Sequence, residues 1–312
     1  MKEKTVDVII PVYKPDRVLR ELISRLDRQS YAVDHIMIVN VNEDRWHDDY
    51  LGDVKNVEVF HIREEEFDRG AVRDLGAGFS DADLLLFMDQ YALPEDEDLV
   101  GHLVAAFDRQ EVKAAYARQV LDRGRDTASE FEQQYLYPDQ SRIRSFRAVR
   151  ELGQGAFFLS NTCAMYDHQQ YNEMGGFTRP CIAGEDELFA GRLLKLGFSI
   201  AYSSRACVRV RNYRTERDAV KNCFDRGVSA ALHPEVYREL SPVDSMKEMR
   251  KTVIRRMRKR GFLLAIPPYR IRMMFRIHAM KKGLNFRNLT LKDIRKSTAN
   301  SWFWDFSGTD IL

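Results

Sequence analysis

Two acidic segments and two polar strand ends combine residue types and spacings that could do chemistry. Gly184-Glu185-Asp186 stands where an apolar helical pattern begins (E-D-E-L-F-A-G-R-L-L-K-L-G), so its carboxylates meet a helix N-terminus. An ionised carboxylate only accepts hydrogen bonds, and a positioned one that takes a proton from a reacting hydroxyl contributes about 10²–10⁴ in rate. The same acids also suit the plainer task of stabilising the helix dipole, and the pattern alone leaves both open. Asp89-Gln90-Tyr91 closes the apolar run Leu84-Leu85-Leu86-Phe87-Met88, while Pro11-Val12-Tyr13 and Asn40-Val41-Asn42 close two others. Four scattered cysteines without a C-x-x-C pair, and seven histidines without H-x-x-x-H spacing, suggest neither zinc nor a disulfide framework. The thiols read as reduced.

These positions matter because of the elements that carry them. Val6–Val12 is a β-branched run followed by an apolar helical pattern (Val18, Leu19, Leu22, Ile23, Leu26). Strand-like runs at 35–41, 56–62, 84–88 and 112–120 alternate with helical patterns at 70–80 and 97–109, which predicts an α/β, doubly wound, mostly parallel sheet. Ligands of such sheets lie beyond the carboxyl ends of the strands, where Asn40, Asn42, Asp89 and Tyr91 fall. The dinucleotide fingerprint and the G-x-x-x-x-G-K phosphate loop are both missing. Past residue 120 the pattern predicts a helix at 127–136, a strand over 156–166, the helix opened by Glu185, a strand at 199–210 and a helix at 216–232.

A length of 312 residues with 44% hydrophobic and 31% charged side chains excludes a miniprotein and a disordered chain. The net charge of +2 hides an asymmetry: residues 246–296 hold 17 Lys and Arg against Glu248 and Asp293, leaving −11 on residues 1–245. We divide the chain where the last predicted helix of the α/β pattern ends, into 1–232, the α/β domain, and 233–312, a basic helical region with an aromatic tail. Cations alternate with apolar residues in that region, and Trp302, Phe303, Trp304 and Phe306 follow, residue types that settle at headgroup depth. This favours an anionic membrane surface as partner over nucleic acid; packing of the stripes on the α/β domain is the competing reading. No apolar run reaches the roughly 20 residues of a membrane span, and the start carries no secretory stretch, so the expectation is a cytoplasmic protein, peripheral at the inner face of the membrane.

V-D-V-I-I-P-V-Y at the start, F-D-R-G-A-V-R-D at 67–74, L-L-L-F-M-D-Q-Y-A-L-P, and G-G-F followed by G-E-D-E-L-F-A-G-R-L-L-K-L-G together resemble the family 2 inverting glycosyltransferases. Within them the likeness is to bacterial rhamnosyltransferases, through Y-A-R-Q at 116–119, Y-P-D-Q-S, F-F-L-S-N-T-C-A-M-Y and N-Y-R-T…F-D-R-G-V-S, over roughly residues 5–230. The resemblance implies a GT-A fold, a nucleotide-diphosphate sugar donor (dTDP-rhamnose in such relatives) and a growing glycan or lipid-linked acceptor in polysaccharide assembly. It implies Asp186 as the general base, with Glu185 orienting the site. It places Pro11, Tyr13, Asn40, Asn42, Arg73, Asp89 and Tyr91 at the donor, and Arg118, Gln119 and Asn161 on the acceptor side.

The sequence departs from the family pattern in three places. Asp89 matches the first acid of the D-x-D motif, but Tyr91 stands where a ligand of the diphosphate's divalent ion is usual, and neutral phenol is a poor Mg²⁺ or Mn²⁺ ligand. Arg209-Val210-Arg211-Asn212-Tyr213 stands where relatives have H-S-H-N-Y. Either Arg209 or Arg211 replaces the ion by pairing with the diphosphate, or a Mg or Mn ion stays on Asp89, or the site no longer works. Asn40 replaces an aspartate near the nucleobase, where its amide can still meet a pyrimidine edge. A UDP-hexose donor and a silent binding module thus stand as alternatives, and a homodimer through the basic region is a further expectation.

Overall fold

The computed structural model of the chain describes residues 3–64, 68–122, 126–211, 215–238 and 240–306. Strand β1 (Val6–Tyr13) is buried on both faces up to its end, as its apolar run requires in a central strand. Helix α1 (Arg17–Asp27) starts at Asp16, whose carboxylate accepts the Val18 N–H at 2.8 Å. Then come β2 (His35–Val41), β3 (Val57–Ile62), α2 (Arg69–Ala77) and β4 (Leu84–Met88). These four strands are parallel in the order β3-β2-β1-β4, the half of the sheet that the alternation predicted.

The second half differs. It comprises β5 (Ala92–Pro94), α3 (Leu99–Val104), β6 (Val112–Leu121), α4 (Thr127–Leu136), β7 (Arg142–Arg144), α5 (Val149–Leu152), β8 (Cys163–Asp167), α6 (His168–Glu173), α7 (Glu185–Lys195), β9 (Ser199–Val210) and α8 (Glu216–Leu232). Strand β8 enters antiparallel between β4 and β6; β6 and β9 are parallel, and β5 and β7 run antiparallel to β9. The sheet is therefore mixed rather than mostly parallel. The strand expected over 156–166 shrinks to β8, because Gly153–Phe157 winds into a helical turn and buried Arg144 takes the Phe158 carbonyl that a ladder would otherwise use. One apolar layer lies under α1 and α3 and another under α7.

The chain ends in α9 (Pro234–Tyr237), α10 (Pro242–Lys259), α11 (Ile266–Leu284), α12 (Leu291–Ser297) and α13 (Ser301–Phe306). Helix α11 crosses α8 with backbone against backbone: a Cβ on Gly283 would stand 2.0 Å from the Phe224 carbonyl oxygen, and one on Gly227 2.4 Å from that of Met280. Val253, Ile254 and Met257 of α10 pack with Ala128 and Phe131 of α4, so much of the apolar stripe expected to face lipid faces protein. The aromatic tail likewise joins the core: Phe303 and Trp304 are 1% and 3% exposed, packed with Phe224, Val228 and Phe286. Asp225 clasps that segment by accepting from Thr298 Oγ1 (2.6 Å), the Ala299 N–H (2.9 Å) and Asn300 Nδ2 (3.0 Å). Exposed apolar side chains lie instead at Phe262, Leu263 and Leu264 after α10, and at Ile271, Met274 and Phe275 on α11. Among the described residues no helix is long and apolar enough to cross a membrane.

Candidate active site

Three remote segments converge on one buried guanidinium. Asp68 caps α2 by accepting the Ala71 N–H at 2.7 Å, and one turn on Arg73 is 5% exposed. Its Nη2 donates to Asp89 Oδ1 at 3.0 Å and its Nη1 to Glu185 Oε1 at 3.0 Å. Asp89 sits just past β4, fixed by its backbone N–H on the Thr162 carbonyl (3.1 Å) and by Thr162 Oγ1 on Oδ2 (3.1 Å). Glu185 opens α7 after Gly184, whose φ of +80° supplies a turn that costs a side-chain-bearing residue more. Arg73 thus serves as a bridge between the two acids, not as an open contact for a donor phosphate.

The three acids of α7 have unequal partners. Burial pushes the Glu185 carboxyl up, but Arg73 and then Arg69 outweigh it and hold it below the usual carboxylate range. Glu187 is ion-paired with Arg226 and accepts a long bond from Gln154 (3.4 Å). Asp186 between them has no arginine of its own; it accepts the Asn161 N–H on Oδ2 (3.1 Å) and the Glu187 N–H on Oδ1 (2.9 Å). Burial, then the charges of Glu185 and Glu187, push its pKa up to about 7. A partly exposed carboxylate titrating near neutrality can both accept and release a proton there.

Asn161 meets this cluster: its Nδ2 lies 3.4 Å from Glu185 Oε1, and its Oδ1 accepts from the Tyr166 hydroxyl at 2.6 Å. Gln119 donates to Ser160 Oγ at 2.8 Å, next to Asn161, and Arg118 pairs with Asp139 at 2.6 Å further out. Tyr13 and Pro11 end β1 beside the site, where the Tyr13 N–H donates to Gln90 Oε1 at 2.7 Å. Tyr91 is half-buried; burial and then Asp16 push its hydroxyl further from ionisation. Thr162, Gln90, Glu187 and Arg226 complete the arrangement. The sequence reading nominated none of these four, although Glu187 and Gln90 each stand directly beside a nominated residue, in E-D-E and in Asp89-Gln90-Tyr91.

Two expectations are corrected. Asn40 does not offer its amide to a base edge: it is fully buried, with Nδ2 donating to the Asn42 carbonyl (3.1 Å) and lying 3.1 Å from His61 Nδ1. Asn42, at φ +74°, folds the chain back over the strand end and delivers that carbonyl; its own Oδ1 accepts the Asp44 N–H at 3.1 Å. Arg209 and Arg211 are not free to replace an ion. Arg209 grips Glu95 with two bonds (2.8 and 2.6 Å), and Arg211 pairs with Glu21 of α1 at 2.6 Å. Asn212 and Tyr213 lie outside the described residues.

These residues do not fit a divalent ion held by the protein. Both oxygens of Asp89 are engaged by Arg73 and Thr162, and position 91 offers a neutral phenol. Among the described residues no three His, Cys, Asp or Glu side chains stand close enough to hold a metal.

Known proteins share this chain's sequence pattern and fold. The model of the family described as glycosyl transferase family 2 matches residues 7–175. The chain is 26% identical over 235 residues, 75% of each chain, to the O-antigen chain rhamnosyltransferase RfbN of Salmonella typhimurium. It is 28% identical over 182 residues, 58% of each chain, to the O-antigen chain rhamnosyltransferase WbaN of Salmonella anatum. Its fold is similar to that of the mannosyltransferase PcManGT from Pyrobaculum calidifontis, solved with GDP-Man and Mn²⁺ (TM-score 0.60, 14% identity, 91% of this chain and 88% of that one). It is also similar to S. aureus TarS 1-349 (TM-score 0.55, 14% identity, 99% of this chain and 92% of that one).

Proposed function

This chain belongs to glycosyl transferase family 2 and is a glycosyltransferase of GT-A-like fold, and from that premise we propose that it transfers rhamnose from dTDP-rhamnose to a glycan hydroxyl with inversion. Asp186 Oδ takes the proton of the acceptor hydroxyl as that oxygen forms a bond to the anomeric carbon. The bond from the same carbon to the diphosphate breaks on the opposite face, and the nucleotide diphosphate leaves with the electron pair. Asp89 contacts the donor, with Pro11, Tyr13 and Tyr91 around it, and Arg73 fixes Asp89 relative to α7. Glu185 and Asn161 orient the acceptor side.

The observation that carries this reading is the contrast within α7. Glu185 and Glu187 are each held ionised by an arginine partner, and Asp186 between them, without one, is left to titrate near 7. The two rhamnosyltransferase relatives support the choice of sugar. The excess of cations over residues 246–296 supports a lipid-linked acceptor and peripheral placement at the cytoplasmic leaflet. The test is transfer from dTDP-rhamnose, UDP-glucose and GDP-mannose to a lipid-linked glycan, with the product anomer read by NMR. Transfer of rhamnose with inverted configuration is expected; a retained configuration, or preference for another donor, would overturn the corresponding part.

A further inference from the structure

A cavity of about 300 Å³ lies where the end of α4 meets the end of α10, lined by Tyr137, Asp139, Arg256, Lys259 and Arg260 among others. Asp139 is already matched by Arg118 at 2.6 Å, so three cations remain without an acid in the lining. Arg256 is held by one N–H on the Gln134 carbonyl (3.2 Å) and by the Tyr135 ring at 5.9 Å, which leaves most of its five donors unspent. Arg260 lies over the Phe131 ring at 5.6 Å. Cations in the last turn of α10 also suit the negative end of its dipole, but that effect requires no cavity in front of them.

The cavity adjoins the acceptor side of the site. The buried Tyr137 side chain that forms part of its wall bonds Ser160, and the next residue, Asn161, holds Asp186 through its N–H at 3.1 Å. At the other end the chain leaves α10 directly into Phe262-Leu263-Leu264, with Leu263 60% and Leu264 94% exposed. Ile271, Met274 and Phe275 continue an exposed apolar face along α11.

We propose that this cavity binds the phosphate linkage of a lipid-diphosphate acceptor, and that the 262–264 turn meets the lipid. The proposal rests on the lipid-linked acceptor named above and deepens it. A volume at the lower end of ligand sites, about 300–1,000 Å³, suits a diphosphate with its adjoining sugar and leaves the rest of the glycan to extend past Tyr137. The surroundings select the partner. Residues 249–292 contain 14 Lys and Arg and no acid. Arg255, Arg258, Lys259 and Arg270 are exposed, and among the described residues none of them pairs with an acid. A second copy of the chain in symmetric contact would bring this cationic rim against itself. A nucleic acid would leave Leu263 and Leu264 without apolar surface to cover.

The test uses the full chain and the variants K259E/R260E and L263S/L264S, whose exposed positions spare the core. Calorimetry with farnesyl diphosphate, run with a saturating nucleoside diphosphate to fill the donor site, should show binding that K259E/R260E weakens at least tenfold. L263S/L264S should lose farnesyl diphosphate and anionic phosphatidylglycerol vesicles while binding inorganic pyrophosphate unchanged. In transfer assays K259E/R260E should raise KM at least tenfold for a diphosphate-linked acceptor. KM for the same glycan on a neutral aglycone, and KM for the donor, should stay unchanged. The proposal is overturned if wild type fails to bind farnesyl diphosphate once the donor site is full, if the charge variant binds equally well, or if both acceptors suffer alike. Pyrophosphate binding as tightly as farnesyl diphosphate would remove the lipid contact, and a dimer abolished by L263S/L264S would assign the turn to a second copy. Should no transfer occur to any acceptor, the functional reading fails while the calorimetry still decides the cavity.

Discussion

Replacing Asp186 with Asn separates what this carboxylate does for chemistry from what it costs the fold. The change keeps the shape and an acceptor oxygen for the Asn161 N–H, but removes the group that takes a proton. Turnover should fall by about 10²–10⁴, while donor affinity stays within about threefold. The same substitution should raise stability at alkaline pH. A folded-state pKa near 7, against an ordinary aspartate value of 3.8, means that folding favours the protonated form. That contribution is complete below about pH 4 and is lost as pH rises through 7. At about 1.4 kcal/mol per pH unit the full swing is on the order of 4 kcal/mol. Urea melts at pH 5 and pH 8 should therefore bring the Asn variant and the wild type closest at pH 5, with the variant ahead at pH 8. In the wild type, kcat/KM should climb with unit slope up to about pH 7 and then level. Turnover within tenfold of wild type in D186N, or a flat profile between pH 5 and 8, would refute the assignment of the base.

Arg73→Ala strips the shared partner from Glu185 and Asp89, so stability at pH 7 should fall by about 3–5 kcal/mol, and the deficit in urea melts should shrink on acidification as Glu185 protonates. Arg209→Ala and Arg211→Ala break partly exposed pairs with Glu95 and Glu21. Each should cost at most about 1 kcal/mol and leave calorimetric donor affinity within about threefold; a loss above tenfold would return the diphosphate to them. Gly283→Ala forces a methyl into the Phe224 carbonyl, and a destabilisation of about 3 kcal/mol or more is expected in chemical denaturation. Because the residues around Asp89 do not fit a protein-held ion, transfer measured in chelator should keep at least a third of its rate.

The parallel half of the fold was readable because its strands are short runs rich in Val, Ile, Leu and Phe and its helices are periodic. Asp89 and the acids of α7 were readable because a strand end and a helix start are local features. The rest depended on partners far away in the chain. Nothing near Arg211 announces Glu21, and nothing near Phe303 announces Phe224, so the sequence offered free cations and free aromatics where the fold pairs and buries them. Three-residue strands such as β5 and β7 carry too little pattern to detect. Asn40 misled for a conformational reason: the positive φ of Asn42, two residues on, decides which way its amide is served.

The crossing of α8 and α11 leaves no side-chain layer between the two backbones, and so no cushion through which one could slide on the other. Helix α10, packed between α11 and α4, inherits that fixity. If the phosphate linkage of the acceptor is held at the end of α10, its distance from Asp186 is set by the scaffold and not by the ligand. The enzyme would then act as a ruler: the hydroxyl it glycosylates lies a set number of sugars from the lipid, and a glycan one residue too short or too long is rejected by length, even when its terminal sugar is the right one.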